Sequence, residues 1–215
     1  MNNSREIILD KLRKAKAVGA TNGLKIRLSQ EEASASVFVP AQGDLSEHFK
    51  SELEKISGNC FIVENIIEAG QKISERLKEE SIDNVYCSEN DLAIKLSSIA
   101  FTDDPEAVKT CKATITGCEY LIARTGSVMV SNANKSERRP HVAPDLHIVV
   151  GLKSQLVPDL IEALQGMMLK YKDKLPSWIS NITGPSRTAD IEKTLILGAH
   201  GPKKLVVFIV GNENS

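Results

Sequence analysis

A run of polar residues near the end of the chain, 184–192 with the sequence GPSRTADIE, is the densest group of side chains that could bind a ligand. Gly184 and the proline after it predict a sharp turn. The hydroxyls of Ser186 and Thr188 suit the N-cap of a helix that we expect to begin near Ala189. Because a helix start presents free backbone N–H groups, the run predicts a site for an anion.

Two charged side chains in this run indicate its chemistry. Arg187 can form paired, charge-assisted hydrogen bonds with a carboxylate or a phosphate. Asp190 falls in the first turn of the expected helix, where it would orient a donor or handle a proton. Asp190 also complements the helix dipole, so the alternative is a well-capped helix that binds nothing. In our preferred interpretation, Ser186, Arg187 and Thr188 face the bound anion.

A histidine between two glycines follows in the run 198–202, with the sequence GAHGP. His200 titrates near neutral pH and can act as an acid, a base or a hydrogen-bond donor. We predict that it handles a proton at the same site, beside Gly201. The alternative is a turn histidine that makes one backbone hydrogen bond.

Two earlier loops could complete such a site, because ligands of open α/β sheets bind where loops converge beyond the strands. Thr125, Gly126 and Ser127 offer hydroxyls and a close backbone approach to the ligand, or else form an ordinary turn. Arg139, in the second loop, is a candidate clamp for a carboxylate, or else part of a solvated loop.

The composition excludes several classes of protein. The 215 residues include 27 Lys and Arg against 28 Asp and Glu, so the net charge of -1 argues against nucleic-acid binding by bulk charge. Aromatic residues make up 4%, too few for a surface that stacks on single-stranded bases. No P-loop, dinucleotide-binding or nucleophile-elbow motif occurs.

The cysteines and apolar runs indicate the environment. Cys60, Cys87, Cys111 and Cys118 are scattered, without the spacing of a zinc or iron–sulfur site, and the histidines are equally dispersed. We therefore expect reduced structural thiols, no metal and no cofactor. The polar start and the lack of a long apolar run predict a cytoplasmic protein with no membrane contact.

Alternating strands and helices must position these loops. Apolar periodicity predicts an N-terminal helical arm with its connection over residues 1–35 and a single α/β domain over 36–215. Within the domain, we expect strands at 36–39, 60–63, 85–87, 113–116, 120–123, 128–130, 146–150, from 178, and 205–210, and helices at 45–56, 66–77, 88–99 and 158–171. Such alternation is typical of a parallel sheet, with 205–210 as a central strand and His147 as a core histidine.

The C-terminal runs GPSRTADIE and GAHGP resemble the signature of the LUD-domain family, whose best-known members are lactate-utilisation proteins. IARTGS at 122–127 matches the turn of that family before a strand, and PDLHIVV at 144–150 matches its P-D-x-H strand. The resemblance is strong from about residue 111 to 210 and weak before that. It is greatest to the small C-type subunit, which lacks a ferredoxin module.

This resemblance implies a three-layer α/β/α sandwich similar to the glucosamine-6-phosphate deaminase, ribose-5-phosphate isomerase and CoA-transferase group. It implies a role in lactate oxidation to pyruvate, together with iron–sulfur subunits, and a small carboxylate or phosphorylated ligand at an anion-binding site. Relatives commonly carry an acidic residue where this chain has Arg124, which cannot act as a base. Whether the chain is itself an enzyme therefore stays open. The alternatives are a stand-alone enzyme acting on a phosphorylated sugar or a thioester, and a non-catalytic scaffold or regulator.

Overall fold

A computed structural model describes most of the chain from residue 41 onward. The described residues are 41, 43–87, 89–102, 104–133, 138–189, 195–197 and 201–212, together with residues 6, 9, 10 and 13. The chain divides into two compact units, Met1–Val39 and Pro40–Ser215. In the first unit, the four described residues are helical. The rest of the expected arm and the strand expected at 36–39 lie outside the described residues.

The second unit alternates helices and strands along the chain. Its α-helices are α1 (Leu45–Lys55), α2 (Ile66–Glu79), α3 (Asn90–Lys95) and α4 (Leu160–Tyr171). Its strands are β1 (Asn59–Asn65), β2 (Val85–Tyr86), β3 (Ala113–Thr116), β4 (Tyr120–Ile122), β5 (Ser127–Ser131), β6 (Leu146–Leu152), β7 (Leu156–Val157), β8 (Ile179–Ile182), β9 (Arg187–Ala189), β10 (Leu195–Leu197) and β11 (Lys204–Asn212).

Five of the strands form a parallel sheet in the order β1-β11-β6-β3-β2. Strands β6 and β11 are almost wholly buried, as their unbroken apolar sequences predict for strands covered on both faces. The expected interior position of β11 is confirmed, with β6 in the middle of the sheet. His147 of β6 is buried, and its Nε2 lies 2.9 Å from Thr116 Oγ1, so the expected core histidine is confirmed.

Helix α2 covers one face of the parallel sheet, where Ile73 and Leu77 share a hydrophobic core with Ile148 and Phe208. The helix begins at the N-cap Asn65, whose Oδ1 accepts from the backbone N–H of Glu68, and the Glu68 carboxylate accepts from the backbone N–H of Glu64, just before the cap. These paired bonds fix where β1 ends and the helix starts.

A second sheet, in the order β7-β4-β5-β8, packs on the other face. Its strand β5 is antiparallel to both β4 and β8. Leu121 and Val128 of this sheet share a core with Val149 and Val207 of the parallel sheet, and α1 contributes Phe49 and Leu53 to the same core. Helix α4 covers the outer side of the second sheet.

The expected α/β class and parallel sheet are confirmed. The layering differs from a plain three-layer sandwich, because the second sheet and α1 together occupy the place where helices alone were expected. None of the helices in the described part of the chain is long and apolar enough for a membrane span.

The prediction of a helix that begins near Ala189 is wrong. Residues 187–189 form β9, which pairs antiparallel with β10, so that Arg187 faces Leu197 and Ala189 faces Leu195. The backbone groups of these residues therefore belong to a hairpin ladder, and the expected helix N-terminus is not there to receive an anion.

Candidate functional site

Three hydroxyls meet beside α1, two from the predicted loop before β5 and one from Thr183, which directly precedes the predicted run 184–192. Ser127 Oγ lies 2.7 Å from Thr125 Oγ1 and 2.8 Å from Thr183 Oγ1. The pairing of β5 with β8 sets Val128 opposite Ile182 and so brings these loops together. Because Ser127 is only 1% exposed, its hydroxyl serves mainly to join the two loops.

The two glycines of these loops allow α1 to approach closely. Gly126 has φ 59°, and a Cβ on it would overlap the backbone N of Leu53. Gly184 has φ 80°, and a Cβ on it would lie 3.0 Å from the carbonyl oxygen of Ile56. Both positions therefore require glycine for backbone packing, whether or not a ligand binds nearby.

The two C-terminal signature runs come into contact. The backbone N–H of Ser186 donates to the carbonyl oxygen of Pro202 at 2.8 Å, and a Cβ on Gly201 would lie 3.2 Å from Ser186 Cβ. Arg187 follows at the start of β9 and is exposed. Asp190, His200 and the side chain of Thr188 lie outside the described residues, so their part in the site stays a prediction.

Arg139 lies on a different part of the fold. It begins a short 3₁₀ turn, Arg139–His141, and is exposed, whereas His141 is buried. The carbonyl oxygen of Pro140 accepts from Thr114 Oγ1 at 2.5 Å, which anchors the turn on β3. The hydroxyl group of Ser127 and its partners instead lie between β5, β8 and α1.

A cleft opens where the strands of the parallel sheet end. Its volume is about 290 Å³, and its apolar wall includes Val150, Leu152 and Val210 at the carboxyl ends of β6 and β11. The polar residues around it are Glu89, Asp91, Lys95, Gln155 and Lys170. This edge of a parallel sheet is where α/β proteins bind their ligands.

Glu89 is an acid of this cleft whose carboxyl group is held by a backbone hydrogen bond. Its Oε1 accepts from the backbone N–H of Gly117 at 2.8 Å, and a Cβ on Gly117 would lie 2.8 Å from Glu89 Oε2. Burial raises the pKa of Glu89; the Gly117 hydrogen bond partly offsets this, and the negative charge of Glu119 raises the pKa further. Glu89 therefore keeps its proton to a higher pH than an ordinary glutamate does.

Glu119, on the β3–β4 loop, has the opposite bias. Its carboxylate accepts from Lys170 Nζ at 2.8 Å, Ser131 Oγ at 2.5 Å and the Tyr171 hydroxyl at 2.9 Å. Burial alone would raise the pKa of Glu119, but these hydrogen bonds outweigh burial and lower it. Two neighbouring carboxyls whose pKa values are displaced in opposite directions are typical of sites that handle protons.

Gln155 holds the loop between these two acids in place. Its Nε2 donates to the carbonyl oxygen of Cys118 at 2.5 Å, while its Oε1 accepts from the backbone N–H of Leu152 at 2.7 Å. Burial raises the pKa of the Cys118 thiol, which keeps it protonated. Within the described residues, no group of three or more His, Cys, Asp and Glu side chains could hold a metal ion.

Sequence reasoning missed this cleft. Glu89 and Gly117 stand 28 positions apart and meet only because β2 and β3 are parallel neighbours. The available signal was that each follows shortly after a short apolar strand, so both belong to the same edge of a parallel sheet. An isolated glutamate carries no local motif, unlike the glycine- and arginine-containing runs.

Comparisons with known proteins agree with this architecture. The family model of the LUD domain matches residues 46–210. Among curated proteins, Lactate utilization protein C 1 of Bacillus mycoides is 28% identical over 76% of this chain and 71% of its own length. Proteins named Lactate utilization protein C from Halalkalibacterium halodurans and Deinococcus radiodurans are 36% and 34% identical, but over 45% and 46% of this chain. The matched regions span 43% and 46% of those two relatives, less than half of each.

A solved structure has a similar fold. The crystal structure of a DUF162 family protein from Deinococcus radiodurans matches 78% of this chain and 96% of its own chain, with a TM-score of 0.56 and 18% sequence identity. This likeness concerns the fold alone. Because the domain model covers most of the 215 residues, from α1 to β11, the chain belongs to the LUD domain family.

Proposed function

We propose that the chain is a component of a lactate-utilisation system and binds a small carboxylate or phosphorylated ligand. The observation that carries this proposal is the match to relatives named lactate utilization protein C. The protein would act in the conversion of L-lactate to pyruvate. We also propose a relation of its fold to the glucosamine-6-phosphate deaminase, ribose-5-phosphate isomerase and CoA-transferase group, which the parallel sheet supports.

The proposed anion site centres on the contact between the two C-terminal runs. The hydrogen bond from Ser186 to Pro202 supports it, since it sets Gly201 beside Ser186 and leaves the exposed Arg187 next to both. Arginine suits a carboxylate or phosphate because of its planar fork of donors. The remaining assignments are Thr125, Gly126, Ser127, Gly184 and Thr188 around the ligand, Arg139 as an outer clamp, and Asp190 and His200 as the proton-handling pair.

The proposed partners are iron–sulfur subunits in the cytoplasm. The cysteines of this chain are free thiols, and burial raises the pKa of Cys60 to about 12 and that of Cys87 to about 11. Such thiols are poor candidates for cluster ligands, because metal ligation requires the thiolate. Electron transfer would then fall to the partners.

Growth of a deletion strain tests the proposed function. We expect the strain to fail on L-lactate, to grow on pyruvate, and to recover when the wild-type gene is restored. The Arg187→Ala variant should restore growth poorly, because it removes the positive charge offered to the anion. Lys174→Ala, which also removes an exposed positive charge but lies elsewhere, should restore growth fully.

Two outcomes would contradict parts of the proposal. Normal growth of the deletion strain on L-lactate would overturn the role in lactate utilisation. Full recovery with Arg187→Ala would overturn the anion site while leaving that role intact.

A further inference from the structure

We propose that the cleft at the carboxyl edge of the parallel sheet is a second ligand site. It takes a small organic acid, with the carboxylate toward Lys95 and Lys170 and a carbonyl or hydroxyl oxygen against Glu89. The site is separate from the loops to which the proposed function assigns anion binding.

The shape and lining of the cleft set this class of ligand. Its volume of about 290 Å³ is close to the lower limit of ordinary small-molecule pockets. Leu92, Val150 and Val210 offer apolar contact to a short alkyl group, while the two lysines lie at the rim. Lys170 donates to Glu119, but an ammonium has three donors, so it can also bind a ligand carboxylate.

Glu89 is held in position to meet the second oxygen of such a ligand. The backbone N–H of Gly117 binds Oε1, so in the neutral acid Oε2 carries the proton and can donate it. Glu89 is also the N-cap residue of α3, but its side chain makes no capping bond there. Its carboxyl is therefore directed toward the β3–β4 loop and the cleft.

Binding of an organic anion at this place should take up a proton. A negative ligand beside Glu89 favours the neutral acid, in the same direction as burial and the charge of Glu119 already do. Among the described residues, the titratable and charged groups near Glu89 are Cys87 before α3, Asp91 and Lys95 on α3, Cys118 and Glu119 on the β3–β4 loop, His141 on the 3₁₀ turn and Lys170 on α4. Burial lowers the pKa of His141 to about 4 and raises that of Cys118, so neither group takes up this proton near neutral pH.

Titration with two 2-oxo acids tests the site. We expect pyruvate and 4-methyl-2-oxopentanoate to bind the wild-type protein by calorimetry, the second more tightly because its branched end buries more apolar surface. Above the pKa of Glu89, affinity should fall up to tenfold for each pH unit. Repeating the titration in buffers of different ionisation enthalpy should show proton uptake on binding.

Three variants separate this site from a general charge effect. Glu89→Gln mimics the neutral acid, so it should still bind but lose both the pH dependence and the proton uptake. Asp91→Asn removes a carboxylate from the same cleft and should keep both the pH dependence and the proton uptake. Gly117→Ala should weaken binding at every pH, since its Cβ displaces the Glu89 carboxyl.

Absence of saturable binding by either acid up to roughly 10 mM, well into the weak range, would overturn the site. So would proton uptake that persists in Glu89→Gln. Unfolding in urea checks that each variant is folded. Because the growth assay with Arg187→Ala is independent of these titrations, failure here is distinguishable from failure of the proposed function.

Discussion

Arg124, where the family resemblance implied an acidic residue, forms an ion pair with Asp159. Its Nε lies 2.8 Å from Asp159 Oδ2, and its backbone N–H donates to the carbonyl oxygen of Pro158 at 3.1 Å. Asp159 also accepts from the backbone N–H of Leu160 at the start of α4. Burial alone would raise the pKa of Asp159, but the bonds from Arg124 and Leu160 outweigh it and lower the pKa. Arg124 therefore ties the β4–β5 turn to α4.

Removing this ion pair should destabilise the protein. We expect Arg124→Gln to lower the free energy of unfolding by about 1–3 kcal/mol, because it leaves a buried carboxylate short of a donor. Arg124→Glu should cost more, since it sets a second negative charge against Asp159. Urea unfolding at pH 7 measures both values.

An exposed ion pair provides the control for Arg124. Lys203 Nζ lies 3.0 Å from Asp145 Oδ1, with both side chains at least half exposed. Lys203→Gln should cost less than about 1 kcal/mol. Equal losses in Lys203→Gln and Arg124→Gln would contradict the role given to Arg124. The sequence did not indicate the partner of Arg124, because 35 positions and three strands separate Arg124 from Asp159.

Among the elements, α1 depends on a direct backbone contact with Gly126. Gly126→Ala should lower the free energy of unfolding by more than about 2 kcal/mol, because its Cβ would overlap the helix backbone at Leu53 and its φ is positive. Gly43→Ala isolates the second cause, since Gly43 has φ 82° and open space around it. We expect that variant to lose only about 1 kcal/mol in the same urea experiment. Similar losses would mean that α1 moves away to accept the methyl group.

Elements with a strong local pattern were predictable, and those decided by a distant partner were not. The unbroken apolar runs of β6 and β11 are suited to strands buried on both faces of a parallel sheet. The apolar periodicity of α2 fits a helix with one buried face. The run from Ser186 to Glu192 has a helix-start pattern, yet its residues 187–189 pair with Leu195–Leu197 as strands of a hairpin. The cleft was missed for the same reason, because only the adjacency of β2 and β3 brings Glu89 to Gly117.

For the whole molecule, buried histidines should make stability depend on pH. Burial lowers the pKa of His141 from 6.5 to about 4 and lowers that of His147 well below 6.5. Between pH 6.5 and about 4 the unfolded chain therefore binds more protons than the folded one, so stability falls as the pH falls. His141 alone should account for a loss on the order of 2 kcal/mol between pH 7 and pH 5. Urea unfolding across this range measures the slope.

The slope of the unfolding free energy against pH should change when the histidine that causes it is replaced. His141→Gln should remove a large part of the pH dependence, whatever it does to stability at pH 7. His48→Gln, at a partly exposed position on α1, should leave the slope as it is. An unchanged slope in His141→Gln would contradict the role given to His141 and would point to the other buried histidine, His147.

The position of β11 in the sheet has a consequence for synthesis on the ribosome. In the described residues β1 pairs only with β11, which lies between β1 and β6 although about 140 positions separate β1 from β11 along the chain. A nascent chain that does not yet include β11 therefore leaves β1 and β6 with unpaired edges and an open core between them. The parallel sheet is completed only when β11 has been synthesised, and until then the partial product offers unpaired strand edges to chaperones or to other nascent chains.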